Sequence, residues 1–137
     1  MARPALLRLL GDRRGNSAIE FGILAPVLFT LLLGTLEFGR MFYIRQGMEY
    51  ATEQAARYYM LNPSAAQSAV TSALTTAMVG GMGSQLSVTY ADTTSCNGKS
   101  TVTCTTITTT YPYHFVVGFL GLSDKTLTAT AQTVRLN

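Results

Sequence analysis

The sequence predicts an α+β protein: a long, apolar, membrane-spanning N-terminal helix, with a short helix and a small antiparallel sheet packed on its outer half. Three observations carry that expectation. An apolar run from Phe21 to Leu36 stands between two isolated carboxylates, Glu20 and Glu37. A helical pattern of charged and apolar positions continues beyond it to Tyr59, and from Gln85 onward the texture becomes alternating and β-branched. The segmentation that follows is residues 1–15 as a basic leader, 16–60 as the long helix with its transmembrane part at about 21–44, and 61–137 as a small extracytoplasmic α+β domain.

The leader carries Arg3, Arg8, Arg13 and Arg14 against Asp12, a charge of +3, which is also the formal charge of all 137 residues. The basicity is therefore local. Clustered arginines before an apolar run place the N-terminus in the cytoplasm by the positive-inside rule, and they give no support to nucleic-acid binding. A chain of this length, less a membrane segment, leaves room for one small outer domain and not for a large catalytic core.

The apolar run between Glu20 and Glu37 holds 16 residues. At the helical rise that is ~24 Å, against a hydrocarbon core of ~30 Å. Phe38, Met41, Phe42, Tyr43 and Ile44 extend the apolar surface, and a helix carried to Ile44 reaches ~36 Å. Glu37 and Arg40, three apart, can share a face and partly neutralise one another near the outer interface, where Phe42 and Tyr43 also suit the headgroup region. Pro26 removes one backbone donor and predicts a kink or loosened turn. Ala18 with Gly22, Thr30 with Gly34, and Thr35 with Gly39 are small-xxx-small pairs that suit lateral association of helices.

Past the membrane, Arg45, Glu49, Glu53 and Arg57 recur every four residues along one solvated stripe, with Glu53 before Arg57 in the favourable order for a pair. Met48, Ala51, Ala55, Tyr58 and Tyr59 fall on other faces. The stripe reads as a wet face, with register-setting contacts between neighbouring subunits as the alternative.

These residues together carry a resemblance. Arg13-Arg14-Gly15, Ala18-Ile19-Glu20-Phe21, Pro26, the stretch from Gly34 through Glu37-Phe38-Gly39 to Arg40, and Tyr50-Ala51 through Ala56-Arg57-Tyr58 resemble the TadE-like family, pseudopilins (minor pilins) of tight-adherence (Tad, or Flp) pilus systems. The resemblance covers about a third of the chain. It implies cleavage by a prepilin peptidase between Gly15 and Asn16, with Glu20 as the acidic residue of the mature N-terminus that serves assembly. It also implies an inner-membrane assembly platform, a secretion ATPase, a major pilin and other pseudopilins as partners. The implied location is the bacterial inner membrane, single pass, with the outer domain in the periplasm or carried into the pilus.

The chemistry of that site follows from the residues themselves. Ordinary secretory signals place small residues after the apolar segment, and the stretch from Gly34 to Arg40 offers no A-x-A pattern. A cut after Gly15 would free an α-amine on Asn16, and Glu20 lies about one turn away. In a low-dielectric setting an unpaired carboxylate is costly, so Glu20 should seek an ammonium of its own chain or of a neighbour. The alternative function is an uncleaved single-pass protein whose outer domain binds a partner or a surface.

The outer domain opens with Asn62-Pro63, read as cap and first turn of a helix from Ser64 to Val79 with Ala66, Ala69, Val70, Ala73, Leu74, Ala77 and Met78 on its apolar face. Gly80-Gly81-Met82-Gly83 ends it. Strands are expected over Leu86–Tyr90, Thr101–Thr110 and Thr126–Val134, three or four in all, their threonines explained by β propensity. The apolar segment from Tyr111 to Leu120 is broken by proline and glycine, too short to cross a membrane, and reads as a bent strand and packing loop.

Cys96 and Cys104 flank the turn dipeptide Asn97-Gly98, and after translocation they should form a disulfide. A metal site would need more ligands than two cysteines and one distant histidine. That histidine, His114, stands between Tyr113 and Phe115 and is expected to be a hydrogen-bonded packing residue. The outer domain's only aspartates, Asp92 and Asp124, supply no catalytic constellation with it. No enzyme activity, cofactor, metal or small-molecule substrate is expected.

Overall fold

The computed structural model describes residues 16–96, 99–116, 118, 121 and 123–136. The leader with Gly15, the Asn97-Gly98 turn, and Val117, Phe119 and Leu120 of the apolar segment lie outside the described residues. The architecture is α+β, in the order helix α1 (Asn16–Leu61), helix α2 (Gln67–Ala77), a short 3-10 segment (Val79–Gln85), and strands β1 (Ser87–Cys96), β2 (Lys99–Tyr113) and β3 (Lys125–Leu136). Contacts divide the chain into two units, Met1–Leu36 and Glu37–Asn137.

In the first unit the described side chains of α1 are mostly exposed. Ten large apolar side chains between Ile19 and Leu36 stand 53–69% exposed. With a mean hydropathy of 2.0 over 18 residues, this is the one described helix long and apolar enough to cross a membrane. The helix continues through Pro26. Thr30 and Thr35 return their hydroxyls to the Pro26 and Leu31 carbonyls at 2.7 and 2.8 Å, so neither presents a free donor to an apolar medium.

In the second unit the same helix is amphipathic in a different sense. Ile44, Met48, Ala51, Ala55 and Tyr59 repeat at intervals of three or four and are all buried. The sheet is antiparallel in the order β1-β2-β3. On β2 the alternate residues Thr103, Thr105, Ile107, Thr109, Tyr111 and Tyr113 are buried, which is the period-2 pattern of a strand with one face on a core. The β-branched run is therefore more than propensity. Half of it is core, and Thr109 meets Thr52 of α1 at 3.0 Å between hydroxyls.

The entry to α2 differs from expectation. Asn62-Pro63 does not open it. Asn62 instead closes α1, its backbone N and side-chain Nδ2 both donating to the Tyr58 carbonyl at 3.0 Å, because the last carbonyls of a helix need donors. The helix starts at Gln67, after Ala66 as an N-cap with no side-chain bond, and ends at Ala77. Val70, Leu74 and Met78 seat it on the core. Gly80 and Gly81 follow with φ of 66° and 70°, a left-handed pair that turns the chain.

Cys96 and Cys104 form a disulfide with their Cα atoms 5.6 Å apart. They are not directly opposite: Cys104 pairs with Thr93, and Cys96 with Lys99. The register shifts between Thr94 and Cys96, a bulge or irregularity of the ribbon, so the disulfide joins positions that are not cross-strand partners.

Candidate assembly site

The candidate site residues fall in two places, one in each unit. In the first, Asn16 is the initial residue of α1, and Glu20 lies on its first turns, exposed. Among the described residues Glu20 makes no hydrogen bond or ion pair. Glu20 stands past the first turn, where the pull of the helix dipole has largely fallen off, and no described residue satisfies it as a partner. Gly22, beside it, meets no atom within 4 Å of where a Cβ would stand, so this surface is open to a neighbour.

The second place is Glu37. Its side chain is 5% exposed, and Oε1 gathers three donors: Tyr113 Oη at 2.7 Å, Arg40 Nη2 at 2.9 Å and Val116 N at 3.3 Å. Arg40 does more than pair with it. Its Nε donates to Tyr113 Oη at 3.0 Å, its Nη2 reaches the His114 carbonyl at 2.6 Å, and its guanidinium lies 4.7 Å over the Tyr113 ring. Tyr113 is 1% exposed, and burial, followed by its bond to the Glu37 carboxylate, raises its phenol above the ordinary value of 10.0. The Glu37–Arg40 contact is thus the centre of a latch between α1 and the end of β2. Sequence alone showed the pair and missed Tyr113. The available signal was that a tyrosine on the inward phase of a strand must find a partner for its hydroxyl.

His114 departs from its expected packing role. Its side chain is 70% exposed, with Nδ1 2.7 Å from Asp124 Oδ2. Strand alternation explains this, since Tyr113 takes the inward position and turns its neighbour out. The packing falls to Tyr113 and Phe115, edge to face with centroids 5.1 Å apart. Asp92 is likewise structural: it accepts from Thr105 Oγ1 at 2.5 Å and from Arg135 at 3.2 Å, while Arg135 lies 4.5 Å over the Tyr59 ring. Arg135, unremarked in the sequence, ties β3 to β1 and to α1. Among the described residues no group of three or more His, Cys, Asp or Glu is placed to hold a metal ion.

The charged stripe forms a different pair from the one expected. Arg45 and Glu49 meet at 3.1 Å, both half exposed. Glu53 and Arg57 make no ion pair with each other and edge a shallow depression beside β3 with Met60, Gln132 and Thr133. An exposed pair of this kind contributes only ~0.3–0.5 kcal/mol, so either choice is nearly neutral for stability.

Residues 15–57 match the family model described as TadE-like protein. The matched segment starts at the expected cleavage position and takes in Glu20, the exposed apolar stretch, Glu37, Arg40 and most of the buried face of α1. No curated protein and no solved structure matches the chain.

Proposed function

We propose, from the match of residues 15–57 to the TadE-like family, that this chain is a pilin-like subunit of a Tad (Flp) pilus, cleaved by a prepilin peptidase between Gly15 and Asn16. The observation that carries the reading is the combination at the start of α1: an exposed apolar helix with one exposed carboxylate, without a partner among the described residues, four residues after the new N-terminus. In the bilayer that carboxylate is costly alone. The Asn16 amine, supplied by its own chain or by an adjacent subunit, removes the cost, and an intersubunit pair fixes the axial offset between helices.

In this reading the chain is a non-enzymatic pseudopilin. The leader stays in the cytoplasm until cleavage, α1 crosses the inner membrane once with its part at about 21–44, and the domain of residues 61–137 lies in the periplasm. The assembly platform, the secretion ATPase, the major pilin and other pseudopilins are its partners. The exposed face of the apolar segment, with Ala18, Gly22 and the other small residues, is the surface for helix packing.

The mass and N-terminal residue of the protein recovered from cells expressing the cognate peptidase test the proposal. A chain beginning at Asn16 is expected. A chain still beginning at Met1 or Ala2 would overturn processing and leave an uncleaved single-pass protein with a partner- or surface-binding domain.

A further inference from the structure

The apolar run from Phe21 to Leu36 is short for a bilayer, ~24 Å of helix against ~30 Å. The next residue, Glu37, is a carboxylate, and in a plain membrane helix it would end the crossing there. Here it is taken out of solvent and out of lipid by the outer domain itself, through Arg40, Tyr113 and the Val116 amide. The outer side of these same turns is apolar. Phe38 is 45% exposed and Phe42 54% exposed, and Val116, whose backbone donates to Glu37, is 75% exposed. The sequence after Val116 stays without an ionisable side chain as far as Leu122.

We infer that the Glu37 end of the domain is a lipid-facing foot, with Val116, Phe38 and Phe42 seated in the interfacial layer of the outer leaflet. The reading rests on the proposed membrane crossing and adds to it a contact from outside the span, Val116, beside Phe38 and Phe42 at the outer end of the span. Three features point to lipid as the occupant. Covalent continuity is the first, because the foot begins at the residue that follows the apolar run. Length is the second: the 22 residues from Phe21 to Phe42 rise ~33 Å, which closes the deficit. The third is the placement of charge. Glu37, the acidic side chain of these helix turns, is buried with three donors, so the outward surface holds Phe38, Phe42 and Val116 beside the half-exposed Arg40 and the exposed His114–Asp124 pair, a mix of aromatic, apolar and charged groups suited to the interface. A solvent-facing domain has no need to sequester Glu37, since an exposed carboxylate on a helix in water is satisfied without help.

The chain contains no tryptophan, so each introduced one is a unique reporter. The full chain carrying Val116→Trp is reconstituted in vesicles of phosphatidylcholine and phosphatidylglycerol, and its emission is read against lipids brominated at successive depths and against aqueous iodide. Leu28→Trp reports the crossing, and Ser64→Trp reports an exposed turn elsewhere on the domain. Loss of Val116→Trp emission with shallow bromines and protection from iodide are expected, with Leu28→Trp quenched by deep bromines and Ser64→Trp open to iodide. Iodide quenching of Val116→Trp beside a lipid-quenched Leu28→Trp overturns the foot and leaves the crossing intact. If Leu28→Trp escapes the bromines too, the membrane reading falls and the foot with it. Quenching of Ser64→Trp by lipid equal to that of Val116→Trp also overturns the foot, because the introduced ring would then be choosing the interface on its own.

Discussion

Gly47 is the position where two physical effects oppose each other most sharply. It lies inside α1 on the buried face, where alanine would ordinarily stabilise a helix by ~1 kcal/mol over glycine. The space decides otherwise. A Cβ added at Gly47 would overlap the Val79 Cγ2 methyl, with the other Val79 carbons at 3.5 and 3.6 Å. Val79 opens the 3-10 segment that ends at Gln85, so relief requires either a poorer valine rotamer or a shift of that segment. Overpacking of this kind costs ~1–3 kcal/mol, which outweighs the propensity gain across most of its range. Gly47→Ala should therefore destabilise the domain by up to roughly 2 kcal/mol, the difference of those two terms. The assay is thermal unfolding of the full chain in detergent, followed by near-UV circular dichroism from the tyrosines. Because the strain has one named partner, the double variant Gly47→Ala/Val79→Ala should show a favourable coupling, losing less than the two single losses combined. A Gly47→Ala protein that melts at or above the parent temperature would refute the argument, as would strict additivity with Val79→Ala.

Removing the disulfide by Cys96→Ser with Cys104→Ser should cost about 2.5 kcal/mol by the chain-entropy model, and reductant should lower the parent's midpoint while leaving the variant's unchanged. Tyr113 and Tyr90 both have phenols raised above 10.0, in each case chiefly by burial. A raised phenol means the folded state holds its proton longer than the unfolded chain does, so the stability it contributes is complete below pH ~10 and is lost as pH rises above that value. Denaturation midpoints measured on both sides of that pH should fall on the alkaline side, and Tyr113→Phe should flatten part of the fall; a variant with the parent's full alkaline loss would exclude Tyr113 as its source. Glu20→Gln should leave cleavage after Gly15 largely intact and reduce piliation, read by N-terminal sequencing and by counting filaments. Parental piliation in that variant would remove Glu20 from assembly.

Much of the fold was legible because its signals are periodic. The uncovered stretch of α1 follows from composition alone, and the three strands follow from alternation and β-branching, with ends a few residues longer than expected at Cys96, Tyr113 and Leu136. What escaped is long-range. Asn62-Pro63 suggests the beginning of α2, whereas Asn62 ends α1, because the same side chain serves either helix terminus and only the Tyr58 carbonyl distinguishes them. His114 was read inward because its neighbours are apolar, yet the strand phase set by Tyr111 and Tyr113 turns it outward. The Glu37–Arg40 pair was visible as an i,i+3 spacing, whereas Tyr113 and Val116 lie 76 and 79 residues away and left no local trace.

The family-matched segment holds two surfaces with opposite requirements on one helix. Up to Leu36 the side chains are apolar all round and uncovered, which is stable in lipid and costly in water. From Ile44 to Tyr59 one face is small and apolar for a sheet, and the others carry Arg45, Glu49, Glu53 and Arg57 for water. Seven residues separate Leu36 from Ile44, two turns of helix, and Glu37 and Arg40 are the only residues within them that carry a charge at neutral pH. Left exposed, each would prefer the aqueous side and set the crossing at the short end of its range. Covered by Tyr113 and Val116, Glu37 no longer makes that choice, and Arg40, with donors spent on Glu37, Tyr113 and the His114 carbonyl, is held along the domain instead of extending freely. The same few hydrogen bonds close the Glu37–Asn137 unit on its own part of the helix and, in the proposed crossing, set the depth at which that helix sits, so a change at Tyr113 should be felt in both.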